Sequence, residues 1–181
     1  LRLLCLLWLK KILMCGLVGF VDTRGERKPD RELLVRMTDK LVHRGPDSSG
    51  YFVDHTVALG FRRLSIIDLE SGDQPIYNED GSVVLMCNGE IFNYLELKKV
   101  LIQKGHSFRT KADVEVLLHL YEEQGIDFLD KINGQFAFVI YDRKNRALFL
   151  AQRAAELRGD GAHTMSRAWM PSGKPAEARA C

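Results

Sequence analysis

Cys15 follows a start-like methionine in the stretch Met14-Cys15-Gly16-Leu17-Val18-Gly19. A thiol attacks well only as the thiolate, so it needs a base. The five histidines, His43, His55, His106, His119 and His163, are scattered along the chain. Sequence alone places none of them beside Cys15. An α-amine titrates near pH ~8. Removal of Met14 and everything before it would put such an amine on the residue that carries the thiol. The amine could then take the thiol proton directly or through a water. The alternative is a structural cysteine buried at the start of a strand.

A second group is Cys87-Asn88-Gly89-Glu90-Ile91-Phe92-Asn93. An Asn side-chain amide and a glycine N–H, adjacent at a strand end, can both donate to one oxygen. That is the architecture of an oxyanion hole, in which one donor is worth roughly 3 kcal/mol. Glycine also permits close approach to the backbone. The alternative is an Asn-Gly hairpin turn. Arg62 and Arg63 follow an apolar run, where an arginine can grip a carboxylate through two parallel hydrogen bonds. The alternative is a solvated basic pair. Asp113 opens a helical stretch, as an N-cap or first-turn acid would. Glu90 and Asp113 could instead hold an ammonium group. One arginine and two acids suit the two charges of a free amino acid.

The elements that must position these groups follow from periodicity and punctuation. Residues 16–22 form an apolar β run, and residues 30–41 carry a helical stripe at Leu33, Leu34, Met37 and Leu41. Two short strands flank Asp54-His55, and residues 82–89 read as a buried strand ending at Gly89. Helices are expected over 94–103, stopped by Gly105, and over 113–124, stopped by Gly125. Two strands, in 135–142 and 146–151, are joined by a turn at Arg143–Asn145. Antiparallel hairpins with helices between them read as α+β.

The flanks differ. Residues 1–13 are leucine-rich with a few basic residues, and the apolar run is shorter than the ~20 residues needed to span a bilayer. Lys10-Lys11 and the lack of an Ala-x-Ala site argue against a signal peptide. Residues 1–14 are therefore read as an upstream or removed segment. Residues 152–181 contain no Val, Ile, Phe or Tyr, and little order is expected there. The 181 residues suffice for a domain with a real core. Twenty-six basic and 24 acidic residues leave a net charge of +2, with no long basic run to suggest nucleic acid. Four cysteines without a C-x-x-C pair suggest neither zinc nor a disulfide scaffold, and fit a reducing cytoplasm.

The motifs "MCGLVGFVD", "HRGPDSSG", "RRLSIIDLESGDQPIYNEDG", "CNGEIFNY" and "KADVEVLLHLYEEQG" occur in this order. In that order and spacing, residues 14–151 resemble the glutaminase domain of glutamine-hydrolysing asparagine synthetases, which are class II glutamine amidotransferases. The resemblance implies an α+β fold, a four-layer αββα sandwich of the N-terminal nucleophile type, here incomplete at the C-terminus. It implies that Cys15 attacks the side-chain amide of glutamine, and that Asn88 and Gly89 hold the oxyanion. Arg63 would bind the α-carboxylate, and Glu90 and Asp113 the α-amine. Backbone near Ile66 and Ile67 would line the pocket. No metal or cofactor is implied for this domain. ATP and Mg²⁺ serve a second, synthetase domain, whose Ser-Gly-Gly-x-Asp-Ser loop is absent from this sequence. Glutamine is the implied partner, with no membrane, and homodimers are implied for full-length members. Two alternatives stay open: an inactive truncated fragment, or amidotransfer to another acceptor such as a sugar.

Overall fold

The computed structural model describes residues 2–6, 15–22, 28–65, 72–153 and 164–169, the first and last of these as backbone only. Ile66 and Ile67 lie outside the described residues. The chain divides into two compact units, Leu1–Pro75 and Ile76–Cys181. Each holds one antiparallel sheet, as an α+β reading expects.

The first unit contains strands β1 (Arg2–Leu6), β2 (Gly16–Val21), β3 (Ser48–Asp54) and β4 (Val57–Arg63), and helix α1 (Arg31–Asp39). The sheet order is β1-β2-β4-β3. Helix α1 begins at Asp30, whose carboxylate accepts the N–H groups of Glu32 at 2.8 Å and Leu33 at 3.2 Å. Such a cap contributes about 1 kcal/mol. The helix lays Leu34 and Thr38 on the sheet, where Leu34 packs with Phe20 and Ala58. Gly60 makes this approach possible, because a Cβ there would lie 2.0 Å from Thr38 Oγ1.

The second unit contains β5 (Ile76–Tyr77), β6 (Val83–Ile91), β7 (Gly134–Asp142), β8 (Ala147–Arg153) and β9 (Thr164–Trp169), in that order across the sheet. Helices α2 (Tyr94–Gln103) and α3 (Val116–Gln124) accompany it. One face of β6 sends Val83, Leu85 and Cys87 into a core with Leu117, Phe128 and Phe138. Phe138 is fully buried, with the Phe136, Phe149 and Phe128 rings centred 5.2, 5.8 and 6.0 Å away.

Several expectations need correction. Strand β6 runs through Asn88-Gly89 to Ile91, with Gly89 opposite Phe136 and Glu90 opposite Gln135. The Asn-Gly pair is therefore part of a ladder and not a hairpin turn. Helix 113–124 opens as a 3-10 turn, Asp113–Glu115, before α3 begins. Asp113 is a first-turn acid of that 3-10 turn rather than its N-cap, which is Ala112, and its carboxylate also accepts the Ile91 N–H from β6. Strands β1 and β9 fall in the flanks that the sequence reads as outside the domain. Each pairs with an apolar neighbour, β2 or β8. An unpaired strand edge offers a row of free N–H and C=O groups, which a flanking strand satisfies without needing an alternating apolar pattern of its own.

Candidate functional site

In the first unit the sulfur of Cys15 sits where β2 begins. Gly16 pairs with Arg62, which sets Cys15 opposite the end of β4. Beyond β4 the chain continues into Leu64, whose N–H donates to Cys15 Sγ at 3.2 Å. The thiol in turn lies 3.6 Å from the Leu64 carbonyl oxygen. Burial pushes the thiol pKa up. The Leu64 N–H, the residue's own N–H and the guanidiniums of Arg63 and Arg44 pull against that rise without cancelling it. Among the described residues, the largest influences on the thiol are therefore burial, backbone and guanidinium charge.

The His43–Gly50 loop braces this corner. Arg44 Nε donates to the Cys15 carbonyl at 3.4 Å. Asp47 N donates to the Arg63 carbonyl at 3.1 Å, and the Asp47 carboxylate accepts the Ser65 N–H at 2.7 Å. Gly45 lets the loop lie against β4, since a Cβ there would come within 2.5 Å of the Arg62 carbonyl. Neither arginine is a solvated charge. Arg62 pairs with Asp39. Arg63 is buried, and its Nη1 meets Asp73 Oδ1 at 3.1 Å. That carboxylate is itself exposed and also accepts the Ser48 hydroxyl at 2.9 Å. A buried guanidinium with an exposed anionic partner can exchange that partner for another carboxylate.

In the second unit Asn88, Gly89 and Glu90 are consecutive on β6. Gly89 has φ +154°, and a Cβ there would lie 2.2 Å from the Gln135 carbonyl oxygen. Only glycine fits this position. Asp113 is half-buried and accepts the Ile91 N–H at 2.6 Å, which ties it to the same end of β6. Burial raises the Asp113 pKa. The Ile91 N–H lowers it in part, and the nearby Glu90 charge adds to the rise. An acid whose ionisation is opposed by burial and a neighbouring carboxylate gains from a cation placed beside it.

Of the residues singled out in the sequence, the structure brings Cys15 and Arg63 together in the first unit. It brings Asn88, Gly89, Glu90 and Asp113 together in the second. Sequence reasoning missed the backbone of Leu64, and also Arg44, Asp47 and Asp73. The Gly-Pro turn in 43–50 was the one available signal for the bracing loop. Nothing in the spacing of Asp73 marked it as the partner of Arg63.

The first unit thus offers a thiol held by backbone and guanidinium, and the second a glycine-restricted strand end with acids beside it. Residues 14–154 match the glutamine amidotransferase domain family, and the chain belongs to that family. Among its relatives is asparagine synthetase (glutamine-hydrolysing) 2 of Bacillus subtilis, 47% identical over 141 residues, which cover 77% of this chain and 19% of that protein. Asparagine synthetase (glutamine-hydrolysing) 1 of Arabidopsis thaliana is 42% identical over 141 residues, covering 78% and 24%. The chain thus spans between a fifth and a quarter of these relatives. A glutamine phosphoribosylpyrophosphate amidotransferase from B. subtilis aligns with TM-score 0.46 and 19% identity over 68% of this chain and 36% of that one.

Proposed function

We propose that this domain hydrolyses glutamine to glutamate and ammonia through a thioester on Cys15, once Cys15 is the first residue. The observation that carries the reading is the setting of the sulfur. The thiol is half-buried, it is held by one N–H, and the largest influences on it among the described residues are burial, backbone and two guanidiniums rather than a side-chain base. The nearest candidate for a base is the nitrogen of the residue itself. As an amide that nitrogen is not basic. As a free amine it titrates near pH ~8.

The reaction then runs in two halves. The terminal amine takes the thiol proton, and Sγ forms a bond to the side-chain carbonyl carbon of glutamine. Asn88 and Gly89 donate hydrogen bonds to the oxygen that becomes negative. The ammonium returns its proton to the amide nitrogen, the C–N bond breaks and ammonia leaves, which yields a γ-glutamyl thioester. Water, deprotonated by the same amine, attacks the thioester. The C–S bond breaks and glutamate is released with the thiol restored. Arg63 holds the substrate carboxylate in place of Asp73, and Glu90 with Asp113 holds the α-ammonium.

The relatives' names support asparagine as the destination of the ammonia. In that scheme ATP and Mg²⁺ act at the aspartate-activating stage, and no residue of this chain is assigned to them. Cytoplasmic residence fits the same scheme. Among the described residues, no helix is long and apolar enough to cross a membrane.

The test compares two chains, one beginning at Leu1 and one at Cys15, for glutamate released from glutamine. The reading requires turnover from the second, abolished by Cys15→Ala. Equal turnover from a chain with an intact Leu1 terminus would contradict the role of the amine. Folded protein without turnover in either form would favour the inactive-fragment reading.

A further inference from the structure

The second unit holds a cluster that the proposed chemistry does not use. Glu79 follows β5, His106 follows α2, and His119 and Glu122 lie one turn apart on α3. One donor atom from each lies within 4.8 Å of all the others. Both histidines turn Nδ1 toward the same two carboxylates. His119 Nδ1 is 3.2 Å from Glu122 Oε2 and 3.6 Å from Glu79 Oε2. His106 Nδ1 is 3.4 Å from Glu79 Oε1 and 3.8 Å from Glu122 Oε2. Four ligands at metal bond lengths of about 2.0–2.2 Å in a tetrahedron stand about 3.3–3.6 Å apart. These nitrogen–oxygen separations lie in or near that range, His119 facing Oε2 of Glu79 and His106 facing its Oε1.

A shell of outer partners orients every member. The His106 Nε2 faces Glu123 Oε1 at 3.2 Å, and the His119 Nε2 faces Glu115 Oε1 at 3.8 Å. An imidazole that ligates through one nitrogen typically directs its other N–H at a carboxylate, which fixes the tautomer. Glu115 is fully buried and fixed by the Arg109 N–H, the Thr110 N–H and the Thr110 hydroxyl. The carboxylates are placed likewise. Ser107 N donates to Glu79 Oε1 at 2.9 Å, and Asn78 Nδ2 donates to Glu122 Oε1 at 2.7 Å.

His119 is the most enclosed member of the cluster. The ring of His119 is 1% exposed, and its Nε2 has no hydrogen-bond partner within reach. Its neighbour His106 stacks at 4.7 Å between centroids. Two imidazoliums that close repel each other, whereas both rings ligate a divalent cation as neutral imidazoles. A divalent cation held by the two Nδ1 atoms and one oxygen of each glutamate would take a ligand from all four side chains at once.

We propose that Glu79, His106, His119 and Glu122 form a tetrahedral structural site for a divalent transition metal of the zinc class. The site ties the loop after β5, the end of α2 and α3 into one cluster. Nitrogen and carboxylate donors without thiolate suit zinc or cobalt(II) better than calcium, which takes six to eight oxygens.

The test uses the full chain, stripped with chelator and titrated with zinc chloride by calorimetry, and with cobalt(II) by visible absorption. The expected result is one zinc per chain and the intense visible bands of tetrahedral cobalt. Glu79→Gln and His106→Asn, at partly exposed positions, should abolish both signals while circular dichroism stays that of a folded chain. Glu123→Gln, which alters only the outer shell, should weaken zinc about 10–100-fold. Absence of tetrahedral cobalt bands in the unaltered chain would overturn the proposal, whatever the variants do. Zinc binding untouched by Glu79→Gln and His106→Asn would overturn it as well.

Discussion

The corner around Cys15 and the corner around Asn88 and Asp113 are built from opposite materials. The first sets a half-buried thiol among guanidiniums and backbone. Arg44 reaches the Cys15 carbonyl, Arg63 lies near the sulfur, and the Leu64 N–H donates to it. The second is a strand end with acids beside it, where burial first and then the Glu90 charge oppose the ionisation of Asp113. One corner therefore supplies positive charge beside a thiol that burial keeps protonated, and the other supplies negative charge. A zwitterionic amino acid needs one of each, and hydrolysis of its side chain needs a nucleophile as well as an oxyanion donor. The difference also separates two ways of holding a residue. Cys15 is fixed by hydrogen bonds that a substitution would alter gradually, whereas Gly89 is fixed by a steric limit that any side chain violates.

The largest effect should come from the sulfur. Cys15→Ser, made in a chain beginning at Cys15, should lower glutamate release at least about 10⁴-fold with little change in melting temperature. A smaller loss would remove Cys15 from the centre of the chemistry. On the other side, Asn88→Ala should lower kcat about 10²–10³-fold while leaving KM for glutamine nearly unchanged, since its donor acts on charge present only in the transition state. A rise in KM with unchanged kcat would make Asn88 a ground-state contact.

The steric claim is tested by two glycines. Gly89→Ala should cost roughly 2–4 kcal/mol in urea unfolding, because a Cβ would overlap the Gln135 carbonyl. Gly81 has φ +72° but open space around it, so Gly81→Ala should cost only about 1 kcal/mol. Similar values for the two would mean that the ladder at Gly89 yields easily.

The charge claim predicts pH dependence. Asp113 must be ionised to hold an ammonium, and burial first, then Glu90, raises its pKa above the ordinary value. KM for glutamine should therefore rise as pH falls through that raised pKa, and Asp113→Asn should give a high KM that no longer responds. A second pH effect belongs to His119. Burial opposes its charge, but Glu115, Glu79 and Glu122 outweigh burial and raise its pKa. Its folded-state pKa lies above the unfolded one, so in metal-free protein its contribution is complete below the unfolded pKa. That contribution fades as pH climbs through the folded value. Thermal melts of chelator-treated chain across this range should show falling stability, and His119→Gln should flatten the profile.

Much of the fold was legible because local signals were strong. Residues 94–103 are bounded by Asn93 and Gly105, and the helix forms over those residues. The hairpin at 143–146 is announced by polar residues and closed by Asp142, whose carboxylate accepts the Asn145 N–H at 2.8 Å. Asn88-Gly89 misled because an Asn-Gly pair is locally a turn signal. Its strand state is decided by the distant partner Phe136, which local pattern cannot see. The same limit hid Asp73, which meets Arg63 only through the fold. In the histidine cluster, the spacing of His119 and Glu122 was visible, but Glu79 and His106 arrive from loops far along the chain. The candidate nucleophile, the oxyanion donors and the charged residues could be named from residue type and order. Their partners could not.

The most direct measurement is a trapping experiment on a chain that begins at Cys15. The protein is mixed with glutamine, quenched in acid within the first turnovers, digested and analysed by mass spectrometry. The account predicts a γ-glutamyl thioester on the N-terminal peptide that carries Cys15, removed by hydroxylamine and absent when the terminal amine is acetylated. Glutamate release with no adduct on that peptide, or an adduct that forms equally on the acetylated chain, would contradict it.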